Sequence, residues 1–365
     1  MKAHISFILC PILILAASCQ KSGALGLGDW KIYHNPVYSE SVTADPCIVE
    51  AEDGFFYVYS TATSSALIPI IKSKDLVSWE YVGQAFETKP SFIPSANLWA
   101  PEVNVIGGRY VMYYALSGTG EGNWDTGIGV AVSDTPTGPF EDLGKLFTAE
   151  EMGVNNSIDP MVYSEDGHIW LIWGSFEGGI WCVEMAADGL SVMDGASKVQ
   201  LAGVGYEAAY VYKHDGMYYM FAVPRATLPS VYPDPSGRAS VSANVEFPAR
   251  SIGTKAYVQP SYRVVLGRSE SFFGPYLNSW GQSMTDNYHD YLMGPGEVFA
   301  GPGHNARIVV DDAGTEWFIY HAYTIANEDQ GRTLFIDPLY WQDGWPRIKK
   351  QCPSTVADAP VFHRK

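Results

Sequence analysis

Basic residues are scarce in this sequence: 23 lysines and arginines face 40 aspartates and glutamates, which leaves a formal net charge of −17. Such an excess of negative charge repels the phosphate backbone of nucleic acids. Charged residues in total make up only 17% of the chain, below the usual fraction of about 25%. The composition therefore excludes nucleic acid as a partner and favours a neutral one.

Cysteines are also few, and none of their spacings matches a metal-binding motif. Beyond the N-terminal region only Cys47, Cys182 and Cys352 remain, an odd number. We expect buried thiols with at most one disulfide. Cys47 lies on an apolar strand and is predicted to be a core residue, not a nucleophile.

A hydrophobic run long enough to span a bilayer is missing. The apolar segment from Phe7 to Leu15 is too short, and small residues follow it directly before Cys19. This pattern predicts a signal peptide over residues 1–18 and resembles a bacterial lipoprotein signal, in which Cys19 carries the lipid. Residues 19–29 then form a flexible tether. We expect an outer-membrane lipoprotein on the cell surface or periplasmic face; an unanchored periplasmic or secreted protein is the alternative.

A linker rich in serine, proline or glycine is likewise missing from the middle of the chain, so residues 30–365 are predicted to form one domain. Aromatic residues at 14% and hydrophobic residues at 47% are ample for a large core. Turn-forming residues crowd the stretch 224–259, which we interpret as an insertion. Loops of this length are usually functional or disordered, and we expect this one to shape a cleft.

A repeated hairpin dominates the rest of the sequence. Each copy has an apolar strand, a turn containing glycine and a second strand rich in aromatic residues, the pattern typical of a β-hairpin. The turn glycines are Gly54, Gly108, Gly167, Gly216 and Gly314, spaced by 54, 59, 49 and 98 residues. Repeats of roughly this period predict propeller blades of about four strands. The fold class is therefore predicted to be all-β, a five-bladed β-propeller.

The first residues of the five hairpins carry the chemistry. Counted back from the turn glycines, these residues are Asp45, Trp99, Asp159, Glu207 and His304. The innermost strand of each blade lines the central channel, so the five positions should converge at one end of it. Two carboxylates that flank a glycosidic bond can hydrolyse it, and a third one nearby raises the pKa of the acid. We predict a glycan-cleaving site here.

Three further residues are predicted to bind substrate. Trp99 offers a flat face on which a sugar ring can stack. Ser175 and Phe176 precede paired glycines, Gly178 and Gly179, which allow the backbone to approach a ligand closely. His321, which ends the fifth hairpin, is predicted to be a core residue.

These motifs together resemble glycoside hydrolase family 43 over nearly everything from Asn35 to Ile348. In chain order they are ADP around Asp45, NLWAPE at Asn97, IDP around Asp159, GSFEGGI at Gly174, EAAY at Glu207, VLGRSESFFGPY at Val265, GPGHN at Gly301 and IDPLYWQDGWP at Ile336. The GSFEGGI and WQDGWP elements look most like the arabinanase branch. The resemblance implies a five-bladed propeller that hydrolyses arabinose- and xylose-containing glycans, such as plant arabinan and arabinoxylan, with inversion.

By the same resemblance, Asp45 is the general base, Glu207 the general acid, and Asp159 the residue that tunes and orients this acid. His304 matches the histidine that, in arabinanase-like members, faces a channel cation. That cation is often calcium and is held largely through water, although calcium itself favours oxygen ligands.

Three positions depart from the arabinanase pattern. Ala44 stands where endo-acting members commonly have histidine, Ala209 replaces a proline in the motif of the acid, and Glu177 replaces a frequent aromatic residue. The leading interpretation is a hydrolase of α-L-arabinofuranosyl linkages, foremost in α-1,5-arabinan. An exo-acting arabinofuranosidase or β-xylosidase with the same site is one alternative, and a non-catalytic glycan-binding lipoprotein is another.

Overall fold

The computed structural model describes residues 31–118, 124–228 and 262–364, together with the backbone of 230–232 and 240–242. The predicted signal peptide, the predicted tether and most of the predicted insertion lie outside these residues. Within them, no helix combines the length and the apolar character needed to cross a membrane.

Five mainly antiparallel sheets follow one another along the chain, one for each predicted hairpin. Their strands are β2 to β5 (Cys47–Glu50, Phe56–Tyr59, Pro69–Ser73, Glu80–Gln84), β6 to β9 (Asn97–Ile106, Arg109–Ser117, Thr126–Ser133, Glu141–Thr148), β10 to β13 (Met161–Glu165, His168–Trp173, Ile180–Glu184, Val199–Ala202), β14 to β19 (Tyr206–His214, Met217–Pro224, Ser230–Tyr232, Ser240–Ser242, Val264–Ser269, Asp290–Met293) and β20 to β24 (Phe299–Gly303, Val309–Val310, Glu316–Thr324, Thr333–Gln342, Trp345–Arg347). The predicted all-β five-bladed propeller is confirmed.

Helices are short and lie between strands. They are α1 (Ala149–Met152) and the 3-10 turns Met284–Asp286, Ile325–Gln330 and Lys349–Gln351. The α1 helix is bounded by local signals, because Thr148 and Glu151 form a capping box at its start and Gly153 ends it with a left-handed conformation.

The inner hairpins turn at the glycines that the repeat marks. All five have φ between 78° and 84°, in the left-handed region that glycine enters without strain. A Cβ atom at any of these positions would meet nothing within 4 Å. The requirement for glycine is therefore conformational and does not come from packing.

The high aromatic content fills the spaces between blades. In β3, Tyr57 and Tyr59 point to one face of the sheet and join a core with Tyr114 of the second blade. The alternate residues Phe56 and Val58 join a different core, which includes the fifth blade. Because strand side chains alternate with a period of two, this sheet packs on both neighbours, and β3 is buried along its whole length.

The fourth and fifth blades differ from the first three. In the fourth, the chain leaves the sheet after β15 and returns in β18, and β16 and β17 extend the sheet beyond β19. The ring is closed next to the fifth blade, where strand β1 (Ile32–His34) pairs with β25 (Val356–Asp358). Asn35 strengthens this closure by exchanging two hydrogen bonds with the backbone of Ile336.

Candidate active site

One unusual backbone conformation recurs where each blade meets the channel. Five non-glycine residues there have φ between 41° and 53°, namely Asp45, Ala100, Asp159, Ala208 and His304. Residues other than glycine enter this region at a cost and cluster at functional sites when they do. The repeated conformation defines the structurally equivalent position in all five blades.

This equivalence corrects the position predicted for two residues. Counting back from the turn glycines placed Trp99 and Glu207 level with Asp45, but the equivalent residues are Ala100 and Ala208. Strands β6 and β14 each contain a bulge with one extra residue directly after Trp99 and Glu207. These two side chains therefore precede the left-handed residue instead of occupying it.

The neighbouring blade supports three of these strained positions. The backbone N–H of Ala100 donates to Thr61 Oγ1 at 2.9 Å, and that of Ala208 donates to Asp159 Oδ2 at 3.1 Å. The N–H of Asp45 donates to His321 Nδ1 at 3.0 Å. Adjacent blades thus fix one another at the channel end where the carboxylates lie.

Asp45 lies among cations. Its Oδ1 accepts a hydrogen bond from Arg332 at 2.7 Å and lies 3.3 Å from His304 Nδ1, and its Oδ2 accepts from Thr61 at 2.6 Å. Burial by itself would raise the pKa of Asp45, but the charges of Arg332 and His304 outweigh burial and hold this pKa well below its usual range. Asp45 is therefore ionised at neutral pH.

Glu207 lies among hydroxyl groups and has no cation in contact within the described residues. Its Oε2 accepts a hydrogen bond from Ser175 at 3.1 Å, and its Oε1 accepts one from Tyr262. Burial, reinforced by the negative charge of Asp159, raises the pKa of Glu207 to about 7. Glu207 therefore carries a proton in a substantial fraction of molecules at neutral pH.

The pKa of Asp159 lies between those of Asp45 and Glu207. Burial, with a contribution from the charge of Asp45, raises its pKa to about 6, while His304 and the N–H of Ala208 act in the opposite direction. The site thus contains carboxyl groups whose pKa values are pushed apart, the arrangement that lets one act as a base and another as an acid.

Two histidines complete this end of the channel. Burial lowers the pKa of His304, but the carboxylates Asp159 and Asp45 outweigh it, so the pKa of His304 is raised. His321 is fully buried, and its pKa is held well below the usual value by burial and then by Arg332. Its neutral ring accepts the N–H of Asp45, so this predicted core residue also positions a carboxylate.

The calcium ion implied by the resemblance finds few protein ligands in this region. Across the described residues, no three His, Cys, Asp or Glu side chains are grouped so that they could hold a metal ion. Calcium favours oxygen ligands, and His304 offers nitrogen. The residues present therefore do not fit a calcium site built from protein ligands, and a cation beside His304 would depend on water.

The other predicted substrate-binding residues differ in how open they are. Ser175 is fully buried and donates a hydrogen bond to Glu207. Trp99 is partly buried against the core between the second and third blades. The ring of Phe176 is covered on one side by the guanidinium of Arg225, whose carbon lies 5.1 Å from the ring centroid.

Sequence reasoning missed Arg332, Tyr262 and Thr61. Arg332 directly precedes the buried strand β23, and a single arginine beside an apolar segment is a weak signal. Tyr262 follows the predicted insertion, and Thr61 follows β3, where nothing in the repeat marks it. The only accessible hint was that polar residues next to buried strands need partners.

The three cysteines of the body are free thiols, and the expectation of buried thiols holds for Cys47 and Cys182 but not for Cys352, which is only partly buried. Cys47 is buried in the core, as predicted.

At the far end of the channel, a cavity of about 740 Å³ is lined by the later residues of the inner strands, including Arg307 and Asn104. The three carboxyl groups do not line this cavity, so it is separate from the site described above.

Comparison with known proteins bears on this geometry. The sequence profile described as Glycosyl hydrolases family 43 matches residues 33–346. The chain is 27% identical to an extracellular exo-alpha-(1->5)-L-arabinofuranosidase of Cellvibrio japonicus (strain Ueda107), covering 84% of this chain and 86% of that protein. It is 31% identical to arabinan endo-1,5-alpha-L-arabinosidase C of Emericella nidulans, covering 81% of this chain and 88% of the relative.

A solved structure is similar as well. It is an alpha-L-arabinanase of Cellvibrio cellulosa complexed with arabinohexaose, which is 26% identical with a TM-score of 0.68. The match covers 85% of this chain and 96% of the other.

Proposed function

The chain belongs to glycosyl hydrolase family 43 and is a glycosidase, and from this membership we propose that it hydrolyses α-L-arabinofuranosyl linkages in α-1,5-arabinan. The observation that carries the proposal is the contrast between two carboxyl groups in one channel: Asp45 accepts a hydrogen bond from Arg332, whereas Glu207 accepts from the hydroxyls of Ser175 and Tyr262. Asp45 is held ionised by Arg332, whereas Glu207 retains a proton near pH 7. An acid and a base are what hydrolysis of a glycosidic bond requires.

In the proposed mechanism, Asp45 is the general base. Its carboxylate would take a proton from a water molecule as that water attacks the anomeric carbon. Arg332 and Thr61 fix the orientation of this carboxylate. A water molecule between base and sugar leads to inversion at the attacked carbon.

Glu207 is the proposed general acid, and it donates its proton to the oxygen of the leaving sugar. Asp159 would keep the proton on Glu207 through its negative charge. It also accepts a hydrogen bond from the N–H of Ala208, the residue after Glu207, and would in this way hold the acid in position. Asp45 and Asp159 are buried, so the charges around them act at a lower dielectric than in bulk water.

Product analysis on linear arabinan, branched arabinan and arabinoxylan tests the proposal, with Glu207→Gln as the variant. Gln keeps the size of Glu207, and its amide can accept from one of the hydroxyls of Ser175 and Tyr262 and donate to the other, but it cannot donate the catalytic proton. We expect arabinose or arabino-oligosaccharides from the wild type and a loss of about 10²- to 10⁴-fold in the variant. Absence of product from a folded wild type on all three glycans would refute the proposal.

An exo-acting arabinofuranosidase is the second candidate. It is supported by Ala44 in place of the histidine common in endo-acting members and by the similarity to an exo-acting protein of Cellvibrio japonicus. Release of a single short product from linear arabinan supports exo action, and a ladder of oligomers supports endo action. A β-xylosidase would instead act on xylo-oligosaccharides, which belong in the same panel.

Two accompanying proposals concern export and a cation. We propose that the protein is exported and anchored by a lipid on Cys19; the similar protein of Cellvibrio japonicus is named as extracellular. Mass spectrometry of the membrane fraction, with Cys19→Ser as the variant, tests the anchor.

We also propose a calcium ion beside His304, held mainly by water, which metal analysis before and after chelation would detect.

A further inference from the structure

Phe176 follows Ser175, the residue that donates to Glu207, so its ring lies near the acid and would be a natural stacking surface for a sugar. Arg225 covers that ring instead. Glu177, which replaces the aromatic residue frequent in similar sequences, forms an ion pair with the same Arg225. A charged pair therefore stands where an aromatic platform was expected.

Arg225 is placed beside Glu207 by a second route. In the hairpin of β14 and β15, Glu207 pairs with Val223, and Arg225 follows two residues later. Its N–H donates to the carbonyl oxygen of Gly205 at 2.8 Å, and its own carbonyl oxygen accepts from Arg263 at 3.4 Å. The backbone of Arg225 is thus fixed before any ligand binds.

The two side chains remain accessible. Arg225 is 39% exposed and Glu177 is 48% exposed. Within the described residues, the guanidinium donates one side-chain hydrogen bond, to Glu177, and because its Nε is buried, a ligand would meet its outer N–H groups. Glu177 likewise offers a second carboxylate oxygen. Sugar hydroxyls can both accept from an arginine and donate to a carboxylate.

The position of Arg225 and Glu177 relative to the general acid indicates which sugar unit of the substrate they would bind. A general acid protonates the oxygen of the leaving group, so the departing part of the glycan lies against Glu207. Phe176 and Glu177 follow Ser175, which donates to Glu207, and Arg225 follows Val223, which pairs with Glu207, so these residues lie next to the acid on two different blades. We propose that Arg225 and Glu177 form the leaving-group subsite and bind the hydroxyls of the departing arabinose unit. This inference rests on the proposed function.

The test compares two substrates in the same preparation of protein. One is an arabino-oligosaccharide, whose leaving group carries sugar hydroxyls; the other is 4-nitrophenyl α-L-arabinofuranoside, whose leaving group has none. For Arg225→Ala we expect the ratio of kcat/KM for the oligosaccharide to kcat/KM for the aryl substrate to fall about tenfold, the loss of one hydrogen bond to a charged group. Because the ratio comes from one preparation, a misfolded fraction cancels.

Two further variants sharpen the result. Arg225→Lys keeps the charge but loses the planar fork and its stacking on Phe176, and we expect an intermediate ratio. The matched control is Arg268→Ala: Arg268 also covers an aromatic ring, at 4.5 Å from the centroid of Trp345, but it lies toward the opposite end of β15 from the acid. We expect the ratio of this control to equal that of the wild type.

The outcomes are distinct. A ratio that is unchanged or raised in Arg225→Ala, in a wild type that cleaves both substrates, overturns the subsite and leaves the proposed function standing. A folded wild type that cleaves neither substrate overturns the proposed function and this inference with it. A fall in the Arg268→Ala control equal to that in Arg225→Ala also overturns the inference, because the effect would then not be local.

Discussion

The two sides of the channel mouth treat a carboxyl group in opposite ways. On one side, Asp45 contacts Arg332 and has two histidines close by. On the other side, the hydrogen bonds that Glu207 accepts within the described residues come from the hydroxyls of Ser175 and Tyr262, and the largest charge effect on its pKa is the like charge of Asp159. Burial alone would raise both pKa values. Neighbouring charge therefore decides which group is the base and which is the acid.

The largest expected change comes from removing the cation on the Asp45 side. Arg332→Ala leaves burial of Asp45 without its main compensating charge, so we expect its pKa to rise by about one to two units, equivalent to one hydrogen bond to a charged group. The acidic limb of the pH profile of kcat/KM should move to higher pH, and kcat should fall about 10- to 100-fold.

The matched control for this change is Arg332→Lys, which keeps the charge and loses the fork geometry. We expect a smaller movement of the acidic limb than in Arg332→Ala. An acidic limb that stays in place in both variants would contradict the role assigned to Arg332.

A smaller effect is expected from the charge that separates the two sides. Asp159→Asn removes a negative charge that raises the pKa of Glu207, yet the amide oxygen can still accept from the N–H of Ala208. Glu207 should then lose its proton at lower pH, and the basic limb of kcat/KM should move down by about one unit. A basic limb that moves up would show that Asp159 does not act through its charge.

The smallest effect is expected from one hydroxyl on the Glu207 side. Tyr262 donates to Glu207, which stabilises the ionised carboxylate and lowers its pKa. Tyr262→Phe removes this donor and keeps the ring, so the basic limb should move to higher pH by about half a unit. Opposite movements in the Tyr262 and Asp159 variants would assign the basic limb to Glu207, and parallel movements would argue against that assignment.

The repeat made the five-bladed fold predictable because it consists of local sequence signals. A glycine with positive φ is needed at each inner turn, and alternating bulky residues are needed between blades, so both leave a mark on the sequence. Asp45 and Asp159 were placed at the blade entries for the same reason. The bulge after Glu207 leaves no such mark, and the count from Gly216 therefore missed the true equivalent, Ala208, by one residue.

Contacts between side chains of different blades could not be predicted from the sequence. His321 lies on β22 and Arg332 directly precedes β23 in the same blade, and both act on Asp45 nearly 300 positions earlier in the chain. Periodicity states which face of a strand is buried but not which residue of another blade it meets. The charges that set the pKa values therefore became visible only in the folded chain.

The most direct test of the account is the pH dependence of kcat/KM of the wild type on linear arabinan. The free enzyme should be active only while Asp45 is ionised and Glu207 is protonated. We expect activity to be lost above a basic limb at about pH 7 and to persist well below pH 5, because the pKa of Asp45 is depressed. Full activity retained above pH 9, or an acidic limb near pH 6 that persists in Asp159→Asn, would contradict the assignment of the two carboxyl groups.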